Sequence, residues 1–156
     1  MDRFTLIALP DGPASAESAI VPILVEVQLR HAYQARSSNH HLFSFASDLI
    51  ALQQGRRPEA SLRLFRPLID CYWDYTLTAK PETGTDLVTI AVFGKYSSGF
   101  SGRGSLHFGD KEPSASPETH EAVTRSKECL LGLGSRLLDW LASPIESFEF
   151  EAPANA

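Results

Sequence analysis

Two rows of polar side chains carry most of the chemistry open to this chain of 156 residues. Asp70, Tyr72, Asp74, Thr76 and Thr78 recur at every second position, and so do Ser101, Arg103, Ser105 and His107. Side chains two apart on a strand share a face, so each row reads as the wet side of one strand. A face that mixes Tyr, Arg, Asp and His has the composition of a protein-binding surface. Asp70, Tyr72, Asp74, Arg103 and His107 are therefore the candidate partner-binding residues. The same set holds the ingredients of an acid/base pair, Asp74 with His107. It is equally the composition of a solvated sheet face with cross-strand charge pairs.

Other constellations fail on context. His40 and His41 are adjacent, and neighbouring side chains on a helix point about 100° apart, so the pair does not converge on one ion as an i,i+4 pair does. Ser98-Gly99-Phe100-Ser101-Gly102 lacks the strand-to-helix setting of a nucleophile elbow. Gly99, Gly102 and Gly104 have no following Gly-Lys-Ser/Thr and are followed by strand-like sequence, so they form no phosphate loop. No catalytic residue, metal ligand or cofactor is assigned. Cys71 and Cys129 are too few for a disulfide framework, and both fall on apolar faces as small hydrophobes.

The elements that must position these residues follow from periodicity. Residues 3–9 alternate weakly and stop at Pro10-Asp11-Gly12-Pro13, the pattern of an edge strand. Residues 21–33 place Val21, Ile23, Val25, Val27, Leu29 and Tyr33 on one parity and predict one long strand. Ser38-Asn39 supplies N-cap chemistry for an amphipathic helix carrying Leu42, Phe45, Ala46, Leu49 and Leu52 and ending at Gly55. Strands follow over 59–66, 69–79, 87–96 and 100–108, with a hairpin loop at 80–85. The strand at 87–96 is apolar on both parities and is expected to be covered on both faces. Ser116 as N-cap and Pro117 as first helical residue predict a last helix running to 142, with Gly132 and Gly134 in its interior. The fold class expected is α+β, an antiparallel meander of five to six strands packed by two amphipathic helices. Residues 1–142 form the domain, and 143–156 an acidic C-terminal tail.

Charge and composition bound the function. Fourteen basic and 19 acidic residues leave a net charge of -5, which argues against nonspecific nucleic-acid binding. The excess is uneven, +1 over residues 1–66 and -6 over 67–156. The start lacks the basic n-region and long apolar core of a signal peptide. No run approaches the ~20 apolar residues of a membrane span. A cytoplasmic location without membrane contact is the expectation.

The short helix, the Trp/Tyr-rich meander with Tyr96-Ser-Ser-Gly-Phe-Ser-Gly102 in its hairpin, and the closing amphipathic helix resemble the small acidic immunity proteins of bacterial polymorphic-toxin systems. The likeness spans about residues 39–142, and the first 38 residues lie outside it. It implies a protein partner, a basic toxin domain bound and neutralised, and no cofactor. The alternative is a small-molecule-binding or hydrolytic domain with a cavity between sheet and helix. Self-association through the strand at 3–9 is a further expectation.

Overall fold

The computed structural model describes residues 3–11, 20–67, 71–98 and 119–152. Among the described residues, eight strands and two helices follow in the order β1 (Thr5–Pro10), β2 (Pro22–Gln28), β3 (Ala32–Ser38), α1 (Asn39–Gln53), β4 (Ala60–Pro67), β5 (Cys71–Pro81), β6 (Leu87–Ser98), β7 (Thr119–Ser126), α2 (Lys127–Leu141) and β8 (Phe148–Glu151). The strands form one curled antiparallel sheet, ordered β7-β6-β5-β4-β3-β2-β1-β8. The class is the mixed one expected, but the sheet has eight strands instead of five to six.

Alternation decides which side chains enter the core. Phe4, Leu6 and Ala8, then Ile23, Val25 and Val27, and across the sheet Leu62, Leu64, Leu77, Ile90 and Val92 all point to one face. Each fully buried side chain of this size contributes about 1.5–3 kcal/mol. Leu42, Phe45, Ala46, Leu49 and Leu52 of α1 complete this core together with Leu130, Leu133 and Leu137 of α2. The region where a ligand cavity between sheet and helices was expected is thus occupied by fully buried side chains.

Five expectations are corrected here. The single strand at 21–33 is a hairpin, β2 and β3, reversing through residues 29–31, where Leu29 N–H donates to His31 O at 2.9 Å. A three-residue reversal keeps the inward positions on odd numbers, Val27 opposite Tyr33 and Val25 opposite Ala35. Parity alone therefore could not show the break. The helix expected from Ser116 begins at Lys127; its N-cap is Ser126, whose hydroxyl accepts from Cys129 N at 3.1 Å, with Glu128 in the first turn. Residues 119–126 are strand because β6 offers a long apolar ladder to pair with, and Val123 packs opposite Ile90. Part of the expected acidic tail is β8, whose Phe148 and Phe150 are buried and whose backbone pairs with β1. That pairing places β1 between β2 and β8, so the edge proposed for self-association is already occupied. Finally, the outer row of β6 is covered only in part: Ala91 is buried, but Phe93 is exposed and stacks on His120 at 4.7 Å.

Other readings match the structure. Ser38 caps α1, its hydroxyl accepting from His41 N at 3.3 Å. Gly55 after α1 and Gly84 in the β5–β6 loop both adopt φ of 77°, the left-handed region open to glycine. The expected strand at 100–108 and the loop after it lie outside the described residues.

Candidate functional site

The helices occupy one face of the sheet, and no described element covers the other. Strand register maps that outer face row by row. One row runs Leu9, Leu24, Arg36, Phe65, Asp74, Lys95 from β1 to β6. The row beside it runs Glu149, Ile7, Glu26, Gln34 from β8 to β3, and Pro67 stands opposite Tyr72 on β4 and β5.

Of the candidate residues, Tyr72 and Asp74 lie on this outer face, while Asp70, Arg103 and His107 lie outside the described residues. Arg63 donates to both oxygens of Asp74, at 2.8 and 3.1 Å. An exposed pair of this kind contributes no more than about 1 kcal/mol, so its effect is chiefly to fix two charges in position. The ring of Tyr72 meets Phe65 with centroids 5.0 Å apart.

Phe65 belongs to a larger feature. β3 and β4 share a single paired position, Arg36 with Phe65, whereas β5 and β6 pair along eleven. Helix α1 joins β3 to β4, and the two strands diverge around it. At this seam the outer face sinks into a groove of about 410 Å³. Its apolar lining is Ile7, Leu9, Leu24, Phe65 and Pro67, with Glu26 and Arg36 among them. Leu9, Leu24 and Phe65 are 45%, 37% and 43% exposed, on a face where alternation calls for polar residues.

The charged groups of the groove are held in different ways. Gln28 and Gln34 both donate to the Glu26 carboxylate, the latter at 2.9 Å, and these bonds keep it below the ordinary carboxylate range against a smaller opposing effect of burial. Arg3 reaches the far oxygen of Gln28 at 3.1 Å, one residue removed from Glu26. Arg36 lies 3.6 Å from Asp11.

A second cluster sits where the curl of the sheet brings β7 to the β2–β3 turn. The carboxylate of Glu121 accepts from Arg30 N at 2.8 Å, His31 N at 3.2 Å and Tyr33 Oη at 2.5 Å, and it meets His31 Nδ1. Burial raises the Glu121 carboxyl, but the combined hydrogen bonds outweigh it and hold the group at about 2. Burial, then the adjoining Glu121, pushes the Tyr33 phenol upward. Tyr33 packs edge-on against Tyr75, which stacks on Trp73. The His31 side chain is 72% exposed, and the adjoining hollow of about 150 Å³ is too small for more than a few waters. This arrangement fastens the sheet.

Sequence reasoning missed the groove residues Ile7, Leu9, Leu24, Glu26, Arg36 and Phe65. A signal existed for two of them. Leu24 shares its parity with Glu26, Gln28 and Arg30, and Phe65 shares its parity with Ser61 and Arg63. Each is a large apolar residue on a polar row. Among the described residues, no group of three His, Cys, Asp or Glu is placed to hold a metal ion, and no helix is long and apolar enough to cross a membrane. No protein-family model matches the chain, and no curated protein or solved structure matches it.

Proposed function

We propose that this chain is a noncatalytic protein-binding domain of the immunity kind, which binds and neutralises a basic toxin domain on its outer sheet face. The observation that carries the reading is the groove at the β3–β4 seam, where Leu9, Leu24 and Phe65 stand exposed beside Tyr72, Arg36 and Glu26. Large apolar and aromatic groups flanked by charge are what a partner desolvates at the centre of an interface. The basic character of the partner follows from the net charge of -5 and from Glu149 and Glu151, exposed on the edge strand next to the groove. Such a field speeds encounter with a cationic partner and weakens as salt rises.

The competing hydrolytic reading has less support. Asp74, its proposed acid, is fixed by Arg63 on an open face, and the sheet–helix interior is filled.

The test is co-production with the protein encoded by the adjacent gene, followed by titration calorimetry on the purified pair. A complex whose affinity falls at least about tenfold in Phe65→Glu, and whose association slows between 50 and 300 mM salt, is expected on the physical grounds given. A purified pair that shows no heat of binding at low salt refutes the reading.

A further inference from the structure

We infer that the groove recognises one kind of partner segment: an extended stretch that presents an apolar side chain and, two residues away, a lysine or arginine. This rests on the protein-binding reading above and specifies what that face reads. Three observations lead to it.

The first is shape. The groove is concave, so a projecting side chain fills it, while a second copy of the same hollow would leave a gap. Its floor is apolar, from Ile7 and Leu24 on one side to Phe65 and Pro67 on the other. The second is spacing. Leu24 and Glu26 both lie on the outer face of β2, two residues and roughly 6.6–6.8 Å apart, which is the repeat of any extended chain laid beside it.

The third is charge. Arg36 has Asp11 beside it, and Arg63 has Asp74. Glu26 is held by two amides only, which orient its carboxylate without neutralising it. Glu149 stands in the same row, with Ile7 between the two carboxylates. Arg136 takes the backbone oxygen of Glu149 at 3.0 Å, not its carboxylate. Arg66 also lines the groove, but the alternation of β4 assigns it to the opposite row, across from Trp73. The outer face thus offers an apolar floor with the Glu26 carboxylate set into it and Glu149 beyond Ile7 on the edge strand, a setting for a cation carried next to an apolar anchor.

The probe is a set of three blocked pentapeptides titrated into the full-length ¹⁵N-labelled chain: acetyl-Gly-Leu-Gly-Lys-Gly-amide, the same peptide with Glu for Lys, and the same with Gly for Leu. The Leu/Lys peptide is expected to shift the amides of Leu24, Glu26 and Phe65 saturably, at least about fivefold more tightly than either control. Glu26→Gln should abolish the preference for Lys over Glu while leaving the spectrum away from β2 unchanged. Equal response to all three peptides, shifts centred on another surface, or no saturable shift by about 5 mM each overturn the inference. The two levels separate cleanly. If the adjacent-gene product binds but tolerates Leu24→Glu and Glu26→Gln, this inference falls and the broader reading stands; if it does not bind at all, the broader reading falls.

Discussion

Glu121 shows how one side chain can matter without taking part in a binding site. It links the end strand β7 to the β2–β3 turn, ninety residues away in sequence, through four donors. Because the folded carboxyl is held at about 2 against an ordinary 4.5, its stabilisation is complete above that ordinary value and disappears as the pH falls from 4.5 towards 2. The Glu121 side chain is 13% exposed but its His31 partner is 72% exposed, so solvent screens part of the interaction. The contribution that remains is on the order of 2–3 kcal/mol. Urea unfolding of the parent chain and Glu121→Gln is expected to differ by about that amount at pH 6 and to converge near pH 2. A constant difference across that range would show that the carboxylate is not the source. Nothing in the sequence pointed to Glu121: it looked like part of a helix, and its partners lie on a turn that periodicity did not reveal.

The packing of α1 against α2 is decided by a single glycine. A Cβ at Gly134 would stand 3.0 Å from Ala46 O, 3.0 Å from Ile50 Cγ1 and 3.3 Å from Leu49 Cβ, whereas one at Gly132 would meet nothing within 4 Å. The close approach is thus made at Gly134 alone, and by the first helix. Gly132→Ala is expected to raise stability by up to about 1 kcal/mol through helix propensity. Gly134→Ala gains the same propensity but pushes against backbone, and a net loss of about 1–3 kcal/mol is expected. Thermal unfolding of the two variants side by side checks this. Two changes of the same sign would mean that the helices do not cross at Gly134. Both helices were legible as amphipathic segments, because their apolar stripes repeat every three to four residues. The start of α2 was misplaced because Ser116-Pro117 and Ser126 both offer capping chemistry, and only the ladder available on β6 favours strand between them.

The β8 edge of the sheet is a property of the molecule as a whole. β8 comes from the last residues described, yet it pairs with the first strand and seats Phe148 and Phe150 in the core. Arg136 and Trp140 of α2 take the carbonyls of Glu149 and Glu146, which ties this short edge to the helix. A chain ending at Ile145 would lose both phenylalanines, a cost of roughly 3–6 kcal/mol, and would bare the edge of β1. The expected outcome is a lowered melting temperature together with concentration-dependent association in sedimentation, since an exposed apolar edge strand invites pairing. An unchanged melting temperature would mean that β8 is dispensable.

What the chain declared without coordinates was local. Two-residue and 3.6-residue periods marked β4, β5, β6, α1 and most of α2, because each such segment must bury one face whatever it packs against. The wet row holding Tyr72 and Asp74 was legible for the same reason. Strand order, the pairing of β1 with β8, the hairpin hidden in residues 21–33 and the groove between β3 and β4 depend on contacts between residues far apart in sequence. No pattern within one segment encodes those, since a row of outward side chains becomes a surface only after the neighbouring strands have taken their register.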